Sequence, residues 1–143
     1  MTEIMNRWNL NNKLALVTGG TKGIGKGIAE ELAGHGAKVI VTSRSEIGDS
    51  SGKGDIVFYR SDASQQNERL ELVDYIGSEY KKLDILVNNV GTNIRKGTDN
   101  YSDDELDFLL RTNLISAFSL ARDLFPLLKK GSDPAIVNIS SVA

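Results

Sequence analysis

The sequence has no cysteine and a single histidine, His35. The lack of cysteine excludes a disulfide-stapled scaffold, a thiolate metal site and a cysteine nucleophile. One histidine also excludes a multi-histidine metal cluster, so the sequence predicts no metal site. Glycines flank His35 on both sides, a pattern typical of a helix exit, which favours a capping role for His35 over a catalytic one.

The chain also lacks an excess of charge and a long apolar run. Lys and Arg total 17 against 19 Asp and Glu, a net charge of -2, whereas a nucleic-acid module usually carries a basic excess. No apolar stretch approaches the roughly 18 residues of a membrane-spanning helix. Residues 1–8 have no apolar core of a secretory signal. We therefore expect a cytoplasmic protein that binds neither nucleic acid nor membrane.

Apolar residues recur in patterns that predict alternating strands and helices. The 143 residues fit a single domain. Short apolar runs, bounded by polar residues, predict strands over 13–18, 38–42, 55–59, 83–88 and 134–140. Helical spacing predicts helices over 24–34, 64–80 and 102–130, with a loop over 43–54.

The second and third predicted helices carry start signals. Ser64 is the expected N-cap of the second helix, and Ser102 with Glu105 forms a capping-box pattern at the start of the third. The third helix has a wide apolar stripe from Leu106 to Leu124. The apolar face of the second helix is predicted to contain Leu70, Val73, Ile76 and Tyr80.

Strands that alternate with helices predict an α/β fold built on a doubly wound parallel sheet of about five strands, in the order 3-2-1-4-5. The ligand crevice of such a sheet lies at the carboxyl ends of its strands. The polar residues that end each predicted strand would gather there: Thr18, Thr42 to Arg44, Ser61 and Asp62, Asn88 and Asn89, and Ser140 and Ser141.

A glycine-rich loop separates the first strand from the first helix. Gly19, Gly23 and Gly25 permit a tight turn and a close backbone approach, and the following helix N-terminus can hold a phosphate group. This position after a strand and before a helix favours nucleotide binding over a purely structural turn. A P-loop is the weaker alternative, because Gly27 stands where a Ser or Thr must hold Mg²⁺.

Two basic residues favour NADP over NAD. Arg44 follows the second strand, where an NAD-binding fold commonly places an acid for the ribose hydroxyl and an NADP-binding fold a basic residue for the phosphate. Lys22, within the glycine loop, can reach the same phosphate. The alternative interpretation is that both are solvated surface charges.

Five motifs in register, from Asn12 to Ala143, resemble those of the short-chain dehydrogenase/reductases. They are the glycine loop, Asp62 after the third strand, the turn Asn88-Asn89-Val90-Gly91, Asn113 in the long helix, and Ser141 after the fifth strand. Val90 replaces the alanine that is usual in the family's turn. The stretches 91–95 and 139–143 are similar to those of tropinone-reductase-like members, and gluconate dehydrogenase-like and 3-oxoacyl carrier protein reductase-like members are also close.

The resemblance implies a Rossmann-type NADP-binding domain over residues 1–143 and a small carbonyl or alcohol substrate. It implies catalytic roles for Asn113 and Ser141, and contact between Asp62 and the adenine amino group. The residues that it places at the cofactor are Gly19, Thr21, Lys22, Gly23, Ile24, Gly25, Ser43, Arg44, Asp62, Ala63, Asn89, Val90 and Gly91.

The 143 residues contain no Tyr-x-x-x-Lys pair, the family's proton-transfer element. We therefore expect that this chain, an incomplete domain relative to the family, does not turn over substrate alone; the alternative is a non-catalytic NADP-binding module. The fifth strand would be an exposed edge, which together with the long helix predicts a homo-oligomer. The tyrosines present are predicted to be packing residues: Tyr59, Tyr75, Tyr80 and Tyr101.

Overall fold

The computed structural model describes residues 7–45 and 54–141, and within them five strands form one parallel sheet. The order β3-β2-β1-β4-β5 confirms the predicted topology. Ala15 in the central strand lies opposite Val39 on one side and Ile85 on the other. Most of the predicted loop at 43–54 lies outside the described residues. The strands are β1 (Leu14–Thr18), β2 (Lys38–Ser43), β3 (Ile56–Arg60), β4 (Ile85–Asn88) and β5 (Ala135–Asn138).

The described residues contain four α-helices: α1 (Gly23–Gly34), α2 (Gln66–Glu79), α3 (Asp103–Leu110) and α4 (Ser116–Leu128). None of them is long and apolar enough to cross a membrane. Ser102 and Glu105 form the predicted capping box, with the Glu105 N–H 3.2 Å from the Ser102 Oγ. His35 is the C-cap of α1, as predicted.

The predicted long helix over 102–130 is helical throughout 103–128, but its middle is not a regular α-helix. A five-residue π-helical segment, Arg111–Ile115, joins α3 to α4. One wider turn of this kind accommodates an extra residue and frequently occurs at functional sites. The hydroxyl of Ser116 donates to the Thr112 carbonyl oxygen at 2.6 Å, which binds the segment to the start of α4.

The two faces of the sheet bury side chains of different size. Small side chains, alanine and valine, pack between the sheet and α1. Large side chains, leucine and isoleucine, pack between the sheet and α2 and α4. Small residues let α1 approach the sheet closely, and the short loop 19–22 places the N-terminus of α1 beside the carboxyl end of β1.

The start of α2 differs from the prediction. The N-cap residue is Gln65, and its side chain makes no capping bond. Ser64 instead donates its N–H and hydroxyl to the Asp62 Oδ1, at 2.9 and 2.7 Å. Because Asp62 engages both donors, Ser64 lies in a turn before the helix. The predicted face is also wrong at Leu70, which is 44% exposed, whereas Leu72 and Arg69 are buried.

Three of the four tyrosines pack against the hydrophobic core, as predicted. Tyr59, Tyr75 and Tyr80 lie against the leucine and isoleucine cluster, and the Tyr59 and Tyr75 rings stack with centroids 4.5 Å apart. The hydrogen bond with the Tyr80 hydroxyl, together with burial, raises the pKa of Tyr75 to about 12. Tyr101 donates its hydroxyl to the Ile94 carbonyl oxygen.

Asp84 joins three segments at the amino end of the sheet. Its carboxylate accepts the N–H of Leu14 at 2.7 Å, the N–H of Ser132 at 2.6 Å and the Lys82 amine at 2.8 Å. Burial alone would raise the pKa of Asp84, but the Lys82 amine and the two backbone donors lower it below its ordinary value. A fully buried carboxylate with these donors holds β1, β4 and the loop before β5 together.

A cavity of about 550 Å³ opens at this same amino end. Three lysines line it, and the amine of each has an acceptor. Lys13 donates to the Ser132 carbonyl oxygen, Lys82 to the Asn12 carbonyl oxygen at 2.8 Å, and Lys38 lies 3.5 Å from the Asp55 carboxylate. The cations in this cavity therefore already neutralise or bind groups of the protein itself.

The outer strand β5 is exposed along its whole length. It pairs in parallel with β4 on one side and is the end of the sheet within the described residues. Ile136 and Val137 are each 44% exposed. This confirms the prediction that the fifth strand forms an unguarded edge.

Candidate functional site

A cavity of about 530 Å³ lies at the carboxyl ends of the strands, where the sheet topology predicts a ligand crevice. All the predicted cofactor residues line it except Ile24 and Gly25. It is lined by Gly19, Thr21, Lys22, Gly23, Ser43, Arg44, Ser45, Ser61, Asp62, Ala63, Asn89, Val90, Gly91, Thr92 and Thr112.

The glycine loop forms one wall through its backbone. Gly19 and Gly23 have positive φ angles of 63° and 57°, which other residues adopt only under strain. A side chain at Gly25 would place its Cβ 2.2 Å from the Gly19 carbonyl oxygen. Gly25 therefore shapes the turn from within, whereas the side chain of Ile24 is 69% exposed to solvent. Both residues lie in the first turn of α1, where the N-cap residue, Lys22, makes no capping bond through its side chain.

Asn89 ties the end of β4 to the glycine loop. Its side-chain amide donates to the carbonyl oxygens of Thr18 and Gly19, at 3.1 and 3.2 Å. In return the Thr18 hydroxyl oxygen accepts the N–H groups of Asn89 and Val90, at 3.0 and 3.3 Å. These bonds fix two adjacent strand ends as one rigid wall of the cavity.

Two basic side chains flank the cavity near the end of β2. The Ser43 hydroxyl donates to the Ser45 carbonyl oxygen at 2.8 Å and accepts the Ser45 N–H at 3.2 Å, which forms a turn with Arg44 at its tip. Lys22 approaches from the glycine loop. Lys22 and Arg44 make no ion pair with another described residue, and both line the cavity.

Asp62 and Ala63 line the cavity below the end of β3. Ala63 is buried and Asp62 is partly exposed. Both bonds from Ser64 use the Asp62 Oδ1, which leaves Oδ2 as a free acceptor within the described part of the chain. The cavity thus has basic side chains at one side and a carboxylate oxygen at another.

Asn113 and Ser141 do not line this cavity. Asn113 lies in the π-helical segment, where its side chain accepts the Thr92 N–H at 2.8 Å and donates to the Thr92 carbonyl oxygen at 2.9 Å. It therefore anchors the loop after β4. Ser141 is exposed just beyond β5, and its catalytic role stays a prediction.

Thr112, next to Asn113, is a cavity residue that the sequence analysis missed. It is 6% exposed, and its hydroxyl has no hydrogen-bond partner among the described residues. Leaving a buried hydroxyl unpaired costs about 1–3 kcal/mol. Thr112 lines the cavity, so its hydroxyl is a candidate contact for a ligand there. Ser61, which the strand-end pattern placed at this edge of the sheet, also lines the cavity, together with two polar residues that were not predicted, Ser45 and Thr92.

These features fit a dinucleotide better than a small apolar ligand. A volume of about 530 Å³ is within the usual range for ligand pockets. The space above Gly23 is open, since no atom lies within 4 Å of the point where a Cβ would stand. The N-terminus of α1 and the two cations that lack an ion pair among the described residues suit phosphate groups.

Comparisons with known proteins agree with this geometry. The family model described as short chain dehydrogenase matches residues 13–143. A tropinone reductase homolog of Arabidopsis thaliana is 46% identical over 145 residues, covering 96% of this chain and 55% of the relative. Senescence-associated protein 13 of the same plant is 43% identical, with 96% and 54% covered. The chain thus spans about half the length of these curated relatives.

Solved structures share the fold. A structure of Pseudomonas aeruginosa RhlG described as an NADP active-site complex superposes with a TM-score of 0.82 and 31% identity, covering 94% of this chain and 57% of that one. This chain therefore shares its fold with a protein of known structure.

Proposed function

The chain belongs to the short-chain dehydrogenase family, a family of oxidoreductases, and from that premise we propose that it binds NADP(H). The full reaction that we propose interconverts a small carbonyl compound and its alcohol by hydride transfer. The observation that carries the choice of cofactor is the pair of available cations, Lys22 and Arg44, at a cavity wall where no acid follows β2 within the described residues.

The proposed phosphate contacts follow from the loop geometry. The first turn of α1 would hold the pyrophosphate with its backbone N–H groups. Lys22 and Arg44 would bind the additional 2′-phosphate that distinguishes NADP from NAD. The Asp62 Oδ2 would accept the adenine amino group, and the Thr112 hydroxyl would gain a polar partner inside the cavity.

The proposed chemical steps depend on residues beyond the cavity. When bound, the nicotinamide ring supplies or accepts the hydride. The Ser141 hydroxyl would orient the substrate oxygen, and Asn113 would keep the loop after β4 in place through its two bonds with Thr92. We propose that the 143 residues alone do not turn over substrate, because no Tyr-x-x-x-Lys pair is among them.

Calorimetric titration of the full chain with NADPH and NADH tests the cofactor proposal. We expect NADPH to bind at least about tenfold more tightly, since a further charge-assisted contact contributes roughly 1.5–3 kcal/mol. Arg44→Gln and Lys22→Gln should each reduce that preference. Lys26→Gln is the matched control, because Lys26 lies on α1 near Glu30 and outside the cavity. Equal affinities, or displacement of NADPH by ATP, would contradict the proposal.

A carbonyl screen tests the proposed lack of turnover. The 143-residue chain is mixed with NADPH and a panel of small ketones, and the cofactor absorbance is followed. We expect no steady decrease. A decrease that Ser141→Ala abolishes would show that this chain is catalytic without the Tyr-x-x-x-Lys pair.

We further propose that the chain self-associates, because large apolar side chains are exposed on α4 and on the segment before it. Leu114, Phe118 and Phe125 are 61, 65 and 55% exposed. Light scattering should report an oligomer that Phe118→Asp weakens, and a monodisperse monomer at high concentration would contradict this. A cytoplasmic location stays a prediction from the sequence.

A further inference from the structure

Two neighbouring residues of α2 hold the cavity wall that contains Asp62. We propose that Glu68 and Arg69 are positioning residues that fix residues 61–63, called here the β3 loop, in the arrangement that recognises the adenine base. The inference rests on the proposed NADP(H) binding. It adds to that proposal a reason for the shape and polarity of the adenine end of the cavity.

Each residue of the β3 loop has a hydrogen bond to this pair. The Ser61 hydroxyl donates to the Glu68 carbonyl oxygen at 3.3 Å, and the Asp62 N–H donates to the Glu68 Oε2 at 2.6 Å. Arg69 donates its Nη1 to the Ala63 carbonyl oxygen at 2.7 Å. Three successive loop residues are thus held by two successive helix residues.

Arg69 is an unusual choice for a buried helix position. It is only 6% exposed, and burial lowers the pKa of its guanidinium. Its Nε has no hydrogen-bond partner among the described residues. Burying a charge costs free energy that an apolar side chain of similar volume would avoid. The Arg69 guanidinium donates a hydrogen bond to the Ala63 carbonyl oxygen. We infer that the role of Arg69 is to orient the loop.

The same bonds determine which polar groups remain for a ligand. The Asp62 N–H is engaged by Glu68, the Asp62 Oδ1 by Ser64, and the Ala63 carbonyl oxygen by Arg69. Among the described residues, the Asp62 Oδ2 is left as an acceptor at the cavity wall. An acceptor here suits the exocyclic amino group of adenine and repels the carbonyl oxygen that hypoxanthine has at that position. Rigid support of the contacting residue sharpens such discrimination.

Calorimetric titration of the full chain with NADPH and with its hypoxanthine analogue tests this inference. We expect the unchanged chain to prefer NADPH about tenfold, as for one charge-assisted hydrogen bond. Glu68→Ala and Arg69→Met should bring the two affinities to within about twofold of each other. Glu68→Gln keeps an acceptor and Arg69→Lys keeps a donor, so both should retain most of the preference.

A control variant separates positioning from a general loss of structure. Glu71→Ala removes an exposed carboxylate from the same helix and should leave the preference unchanged. If Glu68→Ala and Arg69→Met weaken both ligands equally, or keep the tenfold preference, the positioning role is wrong while NADP(H) binding stands. If the unchanged chain does not bind NADPH, the proposed function itself is contradicted.

Discussion

The two ends of the sheet carry cavities of nearly equal size, about 550 Å³ at the amino end and about 530 Å³ at the carboxyl end. They differ in how their polar groups are used. At the amino end, the Lys13, Lys38 and Lys82 amines each have an acceptor within the protein, and the Asp84 carboxylate has three donors. The polar groups there stabilise the fold.

At the carboxyl end, several polar groups have no partner within the described residues. They include the charged ends of Lys22 and Arg44, the buried hydroxyl of Thr112 and the second oxygen of Asp62. A group of this kind contributes little to stability, and a buried one detracts from it. Cavity volume therefore does not distinguish the two ends of the sheet, whereas the polar groups that lack a partner among the described residues do.

Asp84→Ala should be the largest disruption and should affect the amino end alone. The Leu14 and Ser132 N–H groups and the Lys82 amine would lose their shared acceptor, and we expect a loss of about 3 kcal/mol in the free energy of unfolding. Urea denaturation measures it. NADPH affinity of the folded variant should stay within about twofold of the original. A large loss of affinity would show that the two ends are coupled.

The lowered pKa of the Asp84 carboxyl predicts that the folded chain loses stability at acidic pH. The pKa of Asp84 is lowered in the folded chain, so its contribution is fully present above the unfolded value of about 3.9 and is lost as the pH falls through the lower folded value. Urea midpoints at a series of acidic pH values should therefore fall more steeply for the original chain than for Asp84→Ala. Parallel curves would mean that other groups cause the loss of stability at acidic pH.

Gly25→Ala tests the carboxyl end. Its Cβ would lie 2.2 Å from the Gly19 carbonyl oxygen and 2.4 Å from the Asn89 amide, so the turn must shift. We expect a loss of about 1–3 kcal/mol in unfolding free energy together with loss of NADPH binding. Gly27→Ala is the matched control on the same helix, since its Cβ would meet no atom within 4 Å outside the backbone of the helix itself. It should raise stability by up to about 1 kcal/mol and leave binding intact.

Thr112→Val should act in opposite directions on stability and binding. Valine has nearly the shape of threonine and removes the unpaired hydroxyl, so we expect the unfolding free energy to rise by about 1 kcal/mol. NADPH affinity should fall several-fold if a ligand pairs with that hydroxyl. Thermal melting and calorimetry measure the two effects. Lower stability in the variant would mean that the hydroxyl has a partner in the ligand-free chain.

The smallest effect should come from Lys38→Gln at the amino end. The Lys38 and Asp55 side chains are both well exposed, at 40 and 62%, and exposed ion pairs contribute about 0–1 kcal/mol. We expect the unfolding free energy to change by less than about 0.5 kcal/mol and NADPH affinity to stay the same. An affinity loss similar to that of Lys22→Gln would contradict the distinction between the two cavities.

The strand order and the glycine loop could be predicted because local patterns determine them. Short apolar runs with polar ends indicate buried strands, and glycines between a strand and a helix have few other uses. The capping box at Ser102 is likewise local. The Ser64 cap was a wrong prediction because Asp62 accepts the N–H and the hydroxyl of Ser64, and these bonds hold residues 62–64 in a turn that ends before the helix.

The remaining errors concern residues whose environment is set by distant parts of the chain. The stripe of apolar residues continues through 111–115, so nothing in its spacing indicates the π-helical segment. Arg69 has the helical spacing of the buried face but carries a charge, which favours the surface, and the Ala63 carbonyl oxygen makes its burial possible. Thr112 gives no signal at all in the sequence, because a lone threonine among leucines has many structural uses.

The π-helical segment Arg111–Ile115 contains one residue more than a regular α-helical turn would. Deleting one residue there is expected to convert the wide turn to a regular α-helix, and α4 would keep Leu120 and Leu124 in the core. The deletion would instead change the local position of Asn113, whose side chain bonds to the Thr92 backbone. A single deletion in this segment is therefore expected to weaken the anchoring of the loop after β4 rather than to disrupt the fold.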